Sequence, residues 1–205
     1  NAVGLTNPGV KKSAELLAQL AIPHDRFLLI SIFGASVEEY VDVAKKLAPY
    51  GDGLELNLSC PHAKGLGMAM GQDPALVEEI VSSVKAAVDV PVVAKLTPNV
   101  PNIAEIARAA VNGGADAICA INTMGPERYD AFGHPILSNE KGGVSGKEIL
   151  PVALKCVSEI RDAVNCPIIA CGGISGATDV HRFREKGASV FGIGSALIGM
   201  TTEEI

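Results

Sequence analysis

PIIACGGISGATDVHRFREKGASVFGIGSA, residues 167–196, reads as a strand, a helix and a second strand in direct succession. The β-branched run 167–171 ends in Gly172-Gly173, the helical pattern 177–186 ends in the glycine stop Lys186-Gly187-Ala188, and the run 189–194 ends in Gly194-Ser195. Such a unit sets its two strands parallel, joined by the crossover helix. The alternation extends back through the chain. Strands are expected at 27–33 (FLLISIF), 53–58 (GLELNL), 91–96 (PVVAKL) and 115–122 (ADAICAIN), and helices at 12–21, 36–47, 73–88, 103–112 and 147–164. Ser36-x-x-Glu39 is a capping box, and Gly113-Gly114-Ala115 is a second glycine stop.

Strands that read apolar on both faces and alternate with helices indicate an α/β fold, a parallel sheet covered by helices. An open doubly wound sheet and a (β/α)8 TIM barrel both satisfy that pattern. The polar residues decide between them. Residues 57–60, 95–99, 122–123, 172–173 and 194–195 all fall at or just beyond the C-terminal end of a strand. Chemistry converging from five strand ends on one rim is how a barrel builds a site, whereas an open sheet concentrates it at a switch point. Only six strands are legible, while a complete barrel takes about 250 residues. The expectation is a single barrel domain over 1–205 with roughly the last six strand units present, the first two missing before Asn1, and the last helix incomplete at 201–205. The one long irregular stretch, 124–146, is expected to be a lid or active-site loop.

Of the 205 residues, 48% are hydrophobic and 20% charged, which excludes a disordered chain. With 17 Lys and Arg against 23 Asp and Glu, the net charge of −6 repels polyphosphate surfaces, so no nucleic-acid partner is expected and any anion must be held locally. No apolar run approaches a membrane span and the opening residues do not form a signal peptide, so a cytoplasmic protein without a membrane partner is expected. The five cysteines, Cys60, Cys119, Cys156, Cys166 and Cys171, form no C-x-x-C and have no His at ligand spacing. Neither a disulfide framework nor a metal site is indicated.

Two adjacent strand ends with small residues, Gly172-Gly173 and Gly194-Ser195, suit a phosphate, because exposed backbone N–H groups can approach it unobstructed. With no G-x-x-x-x-G-K-[ST] and no G-x-G-x-x-G after a first strand, a single nucleotide-type phosphate is favoured over ATP or a dinucleotide. Cys60, in Asn57-Leu58-Ser59-Cys60-Pro61-His62, is a candidate base or nucleophile; His62 orients it, donates to a ligand or is simply solvated. Cys119, Cys156 and Cys166 read as small packing groups, and Cys171 as structural. Lys95 ends an otherwise apolar strand and needs an anionic partner, which a reduced flavin or a substrate carboxylate would supply. Asn57, Asn99, Asn122 and Thr123 offer amides and a hydroxyl suited to a pyrimidine edge, although Asn99 also fits a turn.

Taken in order, NAVGLTNPGV (1–10), ELNLSCPH (55–62), GQDP (71–74), AKLTPN (94–99), INT (121–123), GGVSG (142–146), GGI (172–174) and GIGSA (192–196) resemble the dihydroorotate dehydrogenases. The similarity covers essentially all 205 residues and is greatest to the soluble cysteine-base class, whose FMN subunit pairs with an iron–sulfur/FAD subunit and uses NAD. It implies FMN-dependent oxidation of (S)-dihydroorotate to orotate in pyrimidine biosynthesis. Cys60 would remove the C5 proton while the C6 hydride passes to FMN. Asn1, Ala2, Val3, Gly4 and Leu5 would line the orotate pocket, and Asn57, Asn122 and Thr123 would hold the pyrimidine ring, Asn57 also touching the flavin. Lys95 would sit by the flavin's pyrimidine edge, Ile121 and Gly146 would contact the cofactor, and Gly172, Gly173, Gly194 and Ser195 would take its phosphate. A homodimer is implied by the same likeness.

Two features depart from the pattern. SCPH with GQDP and AKLTPN is also similar to the pyrimidine-reducing domain of dihydropyrimidine dehydrogenase, which acts on uracil or thymine, whereas NAVGLTNPG belongs to the carboxylate-binding turn of the dihydroorotate enzymes. The family's first two strands, with a flavin-contacting turn and a substrate lysine, are not in the sequence. Enzyme alternatives therefore stand beside a non-catalytic barrel subunit.

Overall fold

The computed structural model describes residues 6–59, 70–125, 132–135, 142–201 and 203. Among these residues six strands alternate with six helices: α1 (Val10–Leu17), β1 (Leu29–Ile32), α2 (Val37–Leu47), β2 (Gly53–Asn57), α3 (Pro74–Lys85), β3 (Val92–Leu96), α4 (Ile103–Asn112), β4 (Ala117–Ala120), α5 (Leu150–Ala163), β5 (Ile168–Cys171), α6 (Ala177–Glu185) and β6 (Val190–Gly192). All five strand pairings are parallel, and spatial order follows chain order from β1 to β6. A doubly wound sheet reverses its order at a switch point. This one never does, so it is the wall of a (β/α) barrel. No helix among the described residues is long and apolar enough to cross a membrane.

The helices begin and end where local chemistry dictates. Ser36 Oγ accepts from the Glu39 N–H at 3.2 Å, and Glu39 Oε2 accepts from the Ala35 N–H at 2.7 Å, one residue before the capping serine. Asp73 and Asn102 cap α3 and α4 in the same way. Gly114 and Gly187 stop α4 and α6 at φ +94° and +90°. The next N–H in each case, Ala115 or Ala188, closes on a carbonyl five residues back, as in the Schellman motif.

Boundaries differ from expectation in consistent ways. Each strand is shorter than its apolar run: β3 and β5 lose only their opening proline, whereas the others end early, though the ladder continues past β4, where Ile121 N donates to Cys171 O and Asn122 N to Leu96 O, both at 2.9 Å. The segment expected as one helix from 147 to 164 opens instead with a tight turn, Lys147–Ile149, because Pro151 sets the start of α5. The first helix runs over Val10–Leu17 rather than 12–21; Val10, Ala14 and Leu17 pack against the core but none is fully buried.

The sheet carries apolar residues on both faces, as expected, but the two faces are unlike. Leu54, Leu56, Val92, Ala94, Leu96, Ile118, Ala120, Ile168 and Ala170 face the helices and join Tyr40, Ile80, Val84, Ile106, Val157, Ile160 and Phe183 in one large core. Each fully buried side chain of this size contributes about 1.5–3 kcal/mol. The alternate residues point to the barrel interior. There Val93, Ala117 and Cys119 form a small cluster with Leu29, Ile169 and Cys171. Ser31, Glu55, Asn57 and Lys95 share that face by strand alternation.

Asp116 joins two units. Its carboxylate accepts from Lys85 Nζ at 2.5 Å and from the Val92 N–H at 2.7 Å. Burial works against the charge, but these two donors outweigh it and hold the pKa below the ordinary 3.8. The stabilisation is therefore complete above the ordinary aspartate pKa and is lost as pH falls through the lower folded-state value. Asp116→Asn is expected to unfold at lower denaturant than the wild type at neutral pH. The gap should close below roughly pH 4, as urea titrations at several pH values would measure.

Candidate functional site

A cavity of about 600 Å³ opens at the C-terminal ends of the strands, within the range of small-molecule sites. Its floor is the interior face of the sheet: Leu29, Glu55, Lys95, Cys119, Ile169 and Cys171. Ile121, Asn122 and Thr123 form one side, Ser145, Gly146 and Lys147 a second, and Gly172–Gly173 with Gly194–Ser195 a third. Every described cofactor residue expected from sequence lines this space except Asn57. Asn57 joins it indirectly, since its Oδ1 accepts from Asn122 Nδ2 at 2.9 Å. Asn1, Ala2, Val3, Gly4, Leu5, Cys60 and His62 lie outside the described residues.

The glycine wall has two kinds of member. Gly172 and Gly173 have φ of +118° and +80°, and a Cβ on Gly173 would lie 2.9 Å from Gly146 O and Leu150 Cβ. These two are fixed by packing as well as by any ligand. A Cβ on Gly194 would meet nothing within 4 Å, so this residue faces open space. Among the described residues the N–H groups of Gly173, Gly194 and Ser195 donate to no backbone carbonyl. Ser195 Oγ donates to Ser145 Oγ at 3.0 Å, tying the end of β6 to the turn before α5. Behind the wall, Asp179 accepts from the Ser175 N–H and hydroxyl, both at 3.0 Å, and these bonds lower its pKa. Unused amides at one end and the Lys147 ammonium nearby are a donor set that fits a phosphate monoester. Amides and an ammonium on the other walls fit a polar ring system, so the residues present suit FMN.

Lys95 does not project alone over the barrel mouth. Its Nζ lies 3.1 Å from Glu55 Oε1, which also accepts from Ser31 Oγ at 2.9 Å. The partner sought in a ligand is thus supplied first by the protein. Burial alone would lower the Lys95 pKa. The Glu55 carboxylate, which pairs with the ammonium and accepts its hydrogen bond, works against that, and the pKa lies above its ordinary value. Register accounts for the meeting: Lys95 pairs with Asn57 on β2, so Glu55, two residues earlier on the same face, is its diagonal neighbour, and Lys95 pairs with Cys119 on β4.

Cys119 and Cys171 stand with their sulfurs 3.6 Å apart. The bond between them and burial push the Cys119 thiol far above the thiol range. The same bond, together with the Lys95 ammonium, lowers the Cys171 pKa against the effect of burial. Cys171 therefore belongs to the cavity wall as well as to the packing. Cys156 is structural, held up at about 11 chiefly by burial.

Asn99 does more than make a turn. Its Nδ2 donates to Thr123 O at 3.2 Å, its Oδ1 accepts from the Gly125 N–H at 3.1 Å, and its carbonyl accepts from Gln72 Nε2 at 2.7 Å. It ties the end of β3 to the start of the long loop. That loop is closed at its base by an antiparallel bridge between Met124 and Val144. Glu55 is the site residue that sequence reasoning passed over. The signal was present, a charge inside GLELNL two residues before Asn57 and so on the same strand face.

The family model for dihydroorotate dehydrogenase matches residues 1–203. The catalytic subunit of dihydroorotate dehydrogenase B (NAD(+)) from Thermococcus kodakarensis is 46% identical over 198 residues, which cover 96% of this chain and 65% of that protein. The protein of the same name from Methanocella arvoryzae is 47% identical over 201 residues, again 96% of this chain and 65% of its own length. The chain thus spans about 65% of these relatives. A crystal structure of DHODH from Eimeria tenella in complex with ferulenol matches with a TM-score of 0.78 at 20% identity, covering 97% of this chain and 62% of that one, a likeness of fold.

Proposed function

The chain belongs to the dihydroorotate dehydrogenase family, and on that premise we propose that the whole protein is an FMN-dependent enzyme oxidising (S)-dihydroorotate to orotate. The observation that carries the reading is a single cavity with the Gly172–Gly173 and Gly194–Ser195 turns on one wall and Lys95, Asn122 and Thr123 on the others. When bound, FMN would supply the two-electron acceptor for the C6 hydride.

The chain's own residues bind, orient and move a proton. The Gly173, Gly194 and Ser195 amides hold the phosphate of the cofactor, with Gly172 shaping the turn. Lys95 presents its ammonium to the flavin's pyrimidine edge, and Ile121 and Gly146 touch the cofactor. Asn122 Nδ2 donates to Asn57 Oδ1 and Asn122 Oδ1 accepts from the Thr123 N–H at 2.8 Å, so both amide planes are set before substrate arrives. Their remaining donors, with Thr123, meet the pyrimidine ring. Cys60 takes the C5 proton as general base, and the backbone of Asn1, Ala2, Val3, Gly4 and Leu5 receives the substrate carboxylate. Residues 1–205 are part of a single barrel domain in this reading. The relatives' designation as an NAD(+) enzyme's catalytic subunit supports a second subunit; in this reading it bears iron–sulfur and FAD groups and passes electrons to NAD. We place the protein in the cytoplasm as a homodimer of the FMN subunit.

The absorbance spectrum of the full-length protein tests this reading. A flavin spectrum that bleaches under anaerobic dihydroorotate, and is perturbed by orotate but not by uracil, is the expected result. A protein that stays colourless with added FMN overturns it.

A further inference from the structure

Among the described residues lining the cavity, Glu55 is the only carboxylate. It is 6% exposed, deep in the barrel interior, and its Oε1 accepts from both Ser31 Oγ at 2.9 Å and Lys95 Nζ at 3.1 Å. An ionised carboxylate at that depth costs free energy unless paired and hydrogen-bonded, and here it is both. The hydroxyl from β1 and the ammonium from β3 hold the carboxylate of β2 between them, so three consecutive strands fix one charge pair. With Cys119 keeping its proton, the carboxylate is the resident countercharge of Lys95.

We propose that Glu55 is a positioning residue that aims the Lys95 ammonium and sets how much of its positive charge a bound flavin feels. The inference rests on the reading of this cavity as a flavin site. A carboxylate 3.1 Å from the ammonium nearly cancels its field at longer range. Removing that negative charge leaves the lysine uncompensated in a partly dry cavity. The more negative, reduced form of the flavin then gains more binding free energy than the oxidised form. Glu55 thereby holds the flavin's midpoint potential down, while Lys95 keeps one orientation in both oxidation states.

The full-length, flavin-loaded protein and its Glu55→Gln and Glu55→Asp variants provide the test, by anaerobic redox titration against reference dyes. Glu55→Gln keeps the shape and loses the charge. It is expected to favour the reduced over the oxidised flavin at least tenfold, a rise of about 30 mV for a two-electron couple. Glu55→Asp withdraws the same charge by one methylene and should shift the potential the same way by a smaller step. Should Glu55→Gln fail to fold, the aspartate variant decides alone, an unmoved or lowered potential overturning the proposal. Variants that melt earlier or bind less flavin at an unchanged potential also overturn it, since they show a structural role only. A wild-type protein that takes up no FMN overturns the flavin reading and this inference together, whereas a yellow wild type with unshifted variants overturns this inference alone.

Discussion

Replacing Cys60 by alanine in the full-length enzyme lowers turnover by about 10²–10⁴-fold, the usual contribution of a general base, and leaves the bound-flavin spectrum as it is. The expectation follows from what surrounds residue 60 in the chain. Strand β2 ends at Asn57, whose side chain is already bonded to Asn122 on the cavity wall. The described chain runs on to Ser59, whose N–H donates to Asn57 Oδ1 at 3.3 Å, one residue before the proposed base. Single-turnover reduction by dihydroorotate separates the roles: slow reduction of a fully loaded Cys60→Ala protein supports the base. Loss of the flavin itself would make residue 60 a packing or binding group.

Gly194→Leu is expected to leave the fold intact and weaken FMN binding by about 10–100-fold, the equivalent of 1–3 kcal/mol of overpacking. Since a Cβ on Gly194 meets nothing within 4 Å, the new side chain displaces no protein atom and occupies cavity space instead. Gly173→Ala is the contrasting control. Its Cβ would lie 2.9 Å from Gly146 O at a φ of +80°, so it destabilises the protein whether or not a ligand is present. Fluorescence titration with FMN, beside thermal melting of the flavin-free proteins, distinguishes the two. Equal FMN affinity in Gly194→Leu and wild type would remove this wall from the phosphate site.

The element order and the rim position of the polar residues were legible in the chain, because short β-branched runs, glycine stops and capping side chains are local signals. Ile103–Asn112 matches its expected helix residue for residue, since Asn102 and Gly113 punctuate both ends. What the chain could not display was the pairing between strands. That Lys95 meets Glu55, and Cys119 meets Cys171, depends on register between segments 40 and 52 residues apart. A single sequence carries no direct record of register. The same limit hid the bracing role of Asn99, whose side chain reaches 24 and 26 positions ahead to Thr123 and Gly125.

The unlike faces of the sheet have a consequence for how such a protein can change. Cohesion resides where strands meet helices, among residues such as Ile80, Ile160 and Phe183, while the reactive side chains hang on the opposite surface of the same backbone. Substitutions at 31, 55, 95, 119 or 171 leave the helix-side contacts in place, but Glu55 and Lys95 have to change as a pair, because either alone would be an unpaired buried charge. Lineages, or a laboratory library confined to that surface, would therefore reach new chemistries by coupled steps rather than single ones.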